Sequence, residues 1–440
     1  MSIVHVTILM FLLLFVGMIW GLDLAFLLGS IGVVFSIFLW GPHALGAITS
    51  MIFNWMTTYS IICVPMFVFM AFVLERSGIA DALYAAMYYW VGRLPGGLAM
   101  GTVAICTVFG AMAGASSFAV ATMGIIALPS MLKRKYDKGL AAGSIMAGAG
   151  LGALIPPSII MILFALITGE SIGRLFIGGI IPGLILSALF ILYIGIRCAL
   201  NPNLGPALPS GETISWGEKF RSLKSVILPV MLVASILGSI FFGIATPTEA
   251  SAVGAIGAII SAAINRKLNW KIIKESCIRT LAICAMILWI VYGASAFAMT
   301  YQALGATKVI TAVISGLEVN RWIILIFMQI TFFFLGCILN NMAILMLTMP
   351  VYLPIIKILG FDPLWFGILY VINMEMGLMT PPFGFTLFYM KAVAPPEIKM
   401  VDLYRSIWPF VALQAICLAL VMLFPQLAIW LPNKMISPVG

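Results

Sequence analysis

Gly150-Leu-Gly-Ala-Leu-Ile-Pro-Pro157 and Glu375-Met-Gly-Leu-Met-Thr-Pro-Pro382 are one pattern written twice. Shifting the numbering by 225 superposes Pro156-Pro157 on Pro381-Pro382 and Gly152 on Gly377. The same shift carries Leu128-Pro129 onto Leu353-Pro354, Ser116 onto Asn341, and Gly29 and Gly32 onto Gly254 and Gly257. A constant offset over such distant stretches indicates a duplicated half. Each copy sets Pro-Pro inside an apolar run, where proline removes a helical hydrogen bond and breaks the helix. In membranes, paired Gly/Pro-interrupted segments in two halves mark the binding site of a transporter.

The surroundings of the breaks are those of a membrane protein. The chain has 440 residues, of which 63% are hydrophobic and 8% charged. That composition excludes an ordinary soluble domain. Apolar runs of about 20 residues recur along the whole length. Ten crossings are expected, at 4–20, 23–41, 51–74, 139–167, 174–198, 223–243, 248–264, 278–303, 363–391 and 407–431. The N-terminal run has no basic residue before it, so it reads as a first crossing and not a cleaved leader. Two further runs, 97–131 and 322–356, are too long for one helix and carry small or polar residues at the middle. Each is expected to be a re-entrant hairpin, with its irregular tip buried in protein.

With hairpins that return to their own side, Arg174, Lys308, Arg321, Lys357 and Lys434 fall on one face and the other Lys and Arg residues on the opposite face. The basic face is cytoplasmic by the positive-inside rule, which leaves both termini periplasmic. The net charge of +9 is thus an orientation signal and not a nucleic-acid surface. The expected fold is an all-α polytopic membrane protein of two inverted repeats, each with five transmembrane helices and one hairpin. The first repeat spans 1–200, a cytoplasmic linker 201–222, and the second repeat 223–440. The first hairpin opens to the cytoplasm and the second to the periplasm. A further segment, from Gly78 to Trp90, has the aromatics of a helix lying in the interface, where it either braces or simply anchors.

A helix that stops in mid-membrane leaves carbonyls and N–H groups without intrahelical partners. Such carbonyls suit a hard cation such as Na⁺, and the positive helix ends suit a carboxylate. One cation site per half follows: Ser116, Ser117, Gly152, Ile155 and Pro157, then Asn340, Asn341, Gly377, Thr380 and Pro382. Small residues and prolines also serve plain helix packing; their recurrence in register favours the site. Two carboxylates, Glu249 and Glu375, are candidates for coupling. Glu249 also fits a first-turn residue favoured by the helix dipole. Glu375 has three open roles: tuning the second site, relaying a proton, or pairing with a polar neighbour. The seven cysteines form no C-x-x-C pair and read as small core residues. No nucleotide-binding, zinc-protease or serine-hydrolase motif is present. The chain is expected to be a secondary transporter and not an enzyme, driven by an ion gradient and needing no organic cofactor.

Gly114-Ala-Ser-Ser117, Leu151-Gly-Ala-Leu-Ile-Pro-Pro-Ser158, Leu175-Phe-Ile-Gly-Gly-Ile-Ile-Pro-Gly183, Gly243-Ile-Ala-Thr-Pro-Thr-Glu-Ala250 and Gly377-Leu-Met-Thr-Pro-Pro-Phe-Gly384 carry a resemblance. Together they resemble the large membrane subunit of the tripartite ATP-independent periplasmic (TRAP) transporters, within the ion-transporter superfamily. The resemblance implies Na⁺-driven uptake of an organic acid, of C4-dicarboxylate or sialic acid type, across the bacterial inner membrane. It implies an elevator, in which the hairpin-bearing part slides against a scaffold. It also implies two partners, a small four-helix membrane subunit and a periplasmic substrate-binding protein. Its sodium sites fall on Ser116, Ser117, Gly152, Ile155 and Pro157, and on Asn340, Gly377, Thr380 and Pro382. The chain departs from the family in Ala115, where Gly is frequent, and in Asn340, where many members are acidic. A stand-alone anion:sodium symporter of a related family is the alternative, and a channel the third reading.

Overall fold

The computed structural model describes residues 3–114, 116–207, 215–305 and 319–436. Among these residues the protein is helical throughout, with no strand. The first stretch holds α1 (Ile3–Ile19), α2 (Leu24–Trp40), α3 (Ala44–Thr57), α4 (Cys63–Arg76) and α5 (Ile79–Val91). Then come α6 (Gly97–Ala113), α7 (Ser116–Lys133), α8 (Lys138–Leu154), α9 (Ile159–Thr168) and α10 (Ile172–Leu200). The second half holds α11 (Trp216–Phe241), α12 (Pro247–Ile264), α13 (Trp270–Ala303), α14 (Arg321–Gly336) and α15 (Asn341–Ile358). It ends with α16 (Pro363–Met379), α17 (Phe385–Val393), α18 (Met400–Leu423) and the short α19 (Gln426–Ile429). Among the described residues, eight helical stretches are long and apolar enough to cross a membrane, and shorter apolar helices accompany them. The protein is a polytopic helical membrane protein.

The helix starts follow the 225-residue offset. α7 begins at Ser116 and α15 at Asn341; α8 spans Lys138–Leu154 and α16 spans Pro363–Met379. Both long runs fold as helical hairpins, α6–α7 and α14–α15. Both diproline breaks occur where expected, separating α8 from α9 and α16 from α17. Three expectations need correction. The run 51–74 is not one helix: it stops at Thr57, passes through a short 3-10 turn, and restarts at Cys63. Pro65 sits in the first turn of α4, where its missing N–H costs nothing, and it cannot continue a helix from upstream. Thr57 and Thr58 also turn their hydroxyls back onto Asn54 O, at 3.3 and 2.7 Å. The run 407–431 likewise ends at Leu423, ahead of Pro425. The linker expected over 201–222 is shorter, because α11 starts at Trp216; residues 208–214 lie outside the described residues, as does Lys308.

The helices pack in two groups. In the first, α2 crosses α13 and α4 packs on α12 and α13. The α2–α13 crossing is close because glycines meet backbone: a Cβ on Gly32 would lie 2.6 Å from the Ala296 carbonyl carbon, and one on Gly293 would lie 2.1 Å from Ala25 O. Ser36 Oγ and Thr300 Oγ1 share a buried hydrogen bond of 2.7 Å there. In the second group, α8 packs against α6, α7, α10 and α18, and α16 against α14 and α18. Its two broken helices are almost wholly buried, from Leu140 to Leu154 and from Leu364 to Met379. α5 packs on α11 and α6, and so touches both groups. Trp90 Nε1 donates to Lys219 O at 3.2 Å, and Arg134 Nη2 to Tyr88 Oη at 2.5 Å.

Polar contacts tie the helix ends together. Lys138 Nζ donates to Glu397 O at 3.3 Å, Asp137 N to Leu204 O at 2.9 Å, and Arg76 pairs with Glu275. Arg174 Nη2 donates to Asn433 Oδ1 at 2.9 Å, with Glu170, Asp362 and Lys357 nearby. Burial, followed by the Asp362 charge, pushes the Glu170 carboxyl above its ordinary range.

Candidate functional site

The two breaks share their backbone. Each helix ends in an extended residue, Ile155 (ψ 119°) in α8 and Thr380 (ψ 135°) in α16. A cis Pro-Pro bond follows in each. Each last turn lies against its own hairpin through paired glycines. A Cβ on Gly152 would stand 2.9 Å from Gly110 Cα, and one on Gly377 would stand 2.8 Å from Gly336 Cα. No side chain larger than hydrogen fits, so backbone meets backbone beside each hairpin tip.

The tips join the breaks. Gly114 closes α6 in the left-handed region (φ 64°), donating its N–H to Gly110 O at 2.9 Å. Its ideal Cβ position is 3.3 Å from Pro157 O, so that carbonyl oxygen stands at the first tip. In the second half, Phe383 N donates to Cys337 O at 3.3 Å. Asn340 caps α15, accepting from Ala343 N at 2.8 Å. Thr380 Oγ1 donates to Met376 O at 2.7 Å, which leaves the hydroxyl lone pairs free. Pro382 O accepts from Tyr404 Oη at 3.4 Å. All ten expected site residues therefore lie at the two tips and breaks.

A cavity of about 240 Å³ lies between the tips, lined among others by Gly114, Ser117, Asn340 and Asn341. Four helices begin on its wall: α7 with Ser116 and Ser117, α9 with Ile159 and Ile160, α15 with Asn341 and Met342, and α17 with Phe385 and Thr386. Each N-terminus brings unsatisfied N–H groups and roughly half a positive charge. Ala153 and Leu378 come from the last turns of α8 and α16, Tyr389 from α17, and Met286 from α13. Among the described residues no Lys or Arg lines it. The sequence reading missed Ile159, Ile160, Phe385, Thr386 and Tyr389, although a helix that breaks at Pro-Pro must restart within a few residues.

The two candidate carboxylates separate. Glu249 is exposed and completes a capping box at the start of α12. It accepts from Thr246 N at 2.8 Å, and Thr246 Oγ1 receives Glu249 N at 3.3 Å. It takes no part in the cluster of tips and breaks. Glu375 is 1% exposed and accepts from Ser116 Oγ at 2.6 Å, across the boundary between halves. Tyr370, on the same helix, donates to Asn341 O at the second tip. The helix α16 thus touches both tips. An ionised carboxylate buried like this costs several kcal/mol, and one hydrogen bond to a charged group returns about 1.5–3 kcal/mol. Glu375 Oε1 has no partner, so the balance needs a further neutralising group.

Comparison with known proteins agrees with this architecture. Residues 8–427 match the family described as the DctM component of the tripartite ATP-independent periplasmic transporter. The C4-dicarboxylate TRAP transporter large permease protein of Vibrio cholerae is 30% identical, covering 98% of each chain. The ectoine TRAP transporter large permease protein of Halomonas elongata is 31% identical, over 84% of this chain and 86% of that one. In fold, the solved YdaH transporter of Alcanivorax borkumensis is similar over 98% of each chain, with a TM-score of 0.64 and 14% identity. Broken helices, facing hairpins and a match over nearly the full length lead to one conclusion: this chain belongs to the family of large membrane components of TRAP transporters.

Proposed function

We propose that this chain is the Na⁺-coupled transport subunit of a system that takes up a small organic acid across the bacterial inner membrane. The observation that carries the reading is the cavity between the tips, walled by four helix N-termini and free of basic side chains. Helix ends supply positive potential and N–H donors to a carboxylate. Sodium binds behind the tips, to the Ser116 and Ser117 hydroxyls with backbone oxygens of Gly152, Ile155 and Pro157. The second ion binds oxygens of Asn340, Asn341, Gly377, Thr380 and Pro382. Cations at these sites hold each tip against its break and offset the anion's charge.

The relatives transport chemically different cargoes, C4-dicarboxylate and ectoine, at nearly equal identity to this chain. Identity alone therefore does not select the substrate, and a four-carbon dicarboxylate serves as the first cargo to test.

The division of helices into two packed groups supports an elevator, with α6–α10 and α14–α19 carrying the site past α1–α4 and α11–α13. The two groups do not coincide with the two inverted repeats, 1–200 and 223–440, because each repeat gives helices to both. The uneven division of Lys and Arg between the two faces expected from the sequence supports a cytoplasmic basic face, with both termini periplasmic. Family membership supports two partners, a small four-helix membrane subunit and a periplasmic binding protein that delivers the acid.

Proteoliposomes test the reading. With both partners present, an inward Na⁺ gradient should drive uptake of labelled succinate, and K⁺ in its place should not. Uptake by the chain alone would instead favour the stand-alone symporter. Succinate flux indifferent to Na⁺ would refute the coupling.

A further inference from the structure

The start of α13 carries charge of the wrong sign for its place. The stretch Arg266-Lys-Leu-Asn-Trp-Lys-Ile-Ile-Lys-Glu-Ser-Cys-Ile-Arg279 holds five cations and one acid. α13 begins within it, at Trp270, and has no acidic residue in its first turn. A helix N-terminus carries roughly half a positive charge, so Lys271 and Lys274 stand against the dipole. The backbone there is already capped, since Asn269 Oδ1 accepts from Ile272 N at 2.9 Å. The acid, Glu275, pairs with Arg76, and Arg279 lies over the Phe72 ring with Glu75 as a neighbouring charge. Arg266, Lys267, Lys271 and Lys274 are exposed. Among the described residues none of these four side chains has a hydrogen bond or ion pair. Four cations thus gather at one end of the first packed group with no protein partner to neutralise them.

The helix is also longer than a crossing needs. Its 34 residues, at 1.5 Å each, reach about 51 Å, against about 30 Å of hydrocarbon. One face shows where the surplus lies. Lys271, Lys274, Ile278, Leu281 and Ala285 follow at intervals of three and four, so they share a face, and all five are exposed. Ser276, Thr280 and Ile287 are buried against the protein on the other side. The exposed face changes character once, from lysine to apolar, between Lys274 and Ile278. Trp270 is 77% exposed, Ile278 56% and Leu281 71%. A face that is basic and tryptophan-flanked at its start and apolar beyond fits the edge of a bilayer, with charge among headgroups and apolar side chains against acyl chains.

We infer that this end of α13 is a binding site for an anionic phospholipid. The phosphate lies between Lys271 and Lys274, with Arg266 and Lys267 beside it, and the acyl chains run along Ile278, Leu281 and Ala285. An anionic headgroup is favoured there twice, by the four cations and by the helix dipole. A soluble phosphate would meet the lysines and leave the apolar part of the same face uncovered, so the occupant is a lipid. The site lies in the leaflet that is cytoplasmic in the orientation proposed above. It belongs to the group of helices that stays still in the proposed elevator, and the lipid holds that group at its depth. The site requires neither the sodium ions nor the substrate cavity.

Titration of phosphatidylglycerol into the purified, detergent-solubilised full-length chain tests it, beside phosphatidylcholine as the zwitterionic control. Bound lipid is counted by native mass spectrometry and thermal stabilisation is followed in parallel. Phosphatidylglycerol should bind and stabilise, and added salt should weaken it by screening. Each cation near an anionic lipid surface is worth about fivefold, so Lys271→Gln with Lys274→Gln should weaken the affinity roughly 30-fold. Lys271→Arg with Lys274→Arg should keep it. Lys133→Gln with Lys135→Gln, which removes an exposed pair at the end of α7, should leave it unchanged. Without added lipid the melting temperature of the Lys271/Lys274 Gln variant should not fall, because these lysines oppose the dipole. A fall there would mean that the lysines serve the fold, and would overturn the proposal. Full phosphatidylglycerol affinity in that variant, equal losses from both Gln pairs, or equally tight phosphatidylcholine would overturn it too. Loss of the small membrane subunit from the complex, with phosphatidylglycerol binding intact, would instead make this face a protein contact and remove the lipid site.

Discussion

The first break and the second are alike in backbone and unlike in chemistry. Both end an almost fully buried helix in an extended residue, turn through cis Pro-Pro, and press a glycine against a hairpin glycine. Around that shared frame the first half places Gly150, Ser116 and Ile155 where the second places Glu375, Asn341 and Thr380. The duplicated features are those that expose main-chain oxygens at membrane depth. The unshared features decide charge. In the function proposed above, symmetry supplies two places for a cation, and the carboxylate of Glu375 makes their surroundings unequal.

The largest effects should come from the shared frame and should be equal in the two halves. Gly152→Ala and Gly377→Ala each drive a methyl to within 3 Å of a glycine backbone, at 2.9 and 2.8 Å. Each should cost about 1–3 kcal/mol, read by thermal unfolding, and should abolish uptake. A large loss in one half and none in the other would break the correspondence.

Smaller and unequal effects should come from the side chains. Ser116→Ala with Ser117→Ala removes two hydroxyls and the hydrogen bond to Glu375. It should weaken apparent Na⁺ affinity about tenfold or more, or about 1.4 kcal/mol, with little change in melting temperature. Asn341→Ala should instead raise the substrate concentration needed for half-maximal uptake, because Asn341 lines the cavity at the start of α15. Unchanged sodium dependence in the double Ser variant would remove the first site.

Gly150→Ala tests the asymmetry itself. Its methyl would crowd Glu375 Oε2 at 3.2 Å, and we expect a loss of about 1 kcal/mol in thermal unfolding. The smallest effect belongs to Asn340. Asn340→Ala should cost about 1 kcal/mol or less as a lost helix cap, whereas Asn340→Asp keeps the cap and adds a charge, so it should strengthen Na⁺ binding. If Asp weakens binding, the second site does not include this tip.

The breaks and hairpins were legible because proline and glycine act locally: Pro156-Pro157 cannot lie within a helix, whatever surrounds it. The 225-residue offset then placed the second copy. The restart at Cys63 was equally local, since Pro65 and the polar stretch Thr57 to Ser60 mark it, but the apolar residues on either side concealed it. Long-range partners were not legible. Nothing in the spacing of Ser116 and Glu375 says that two helices bring them together. The helix-start role of Glu249 was already among the readings of its sequence, and the capping box fits it. Only folding shows Glu375 reaching across to the other half. Likewise, each helix start was foreseeable alone, and their convergence on one cavity was not.

The central claim is that an anion sits among four helix N-termini with sodium behind each tip. Electron cryo-microscopy of the complex in Na⁺ and succinate tests it most directly. The account predicts elongated density touching Ser117, Asn341 and Thr386, with compact densities beside Gly152 and Gly377. Substrate density elsewhere, or maps unchanged when Na⁺ is replaced by K⁺, would contradict it.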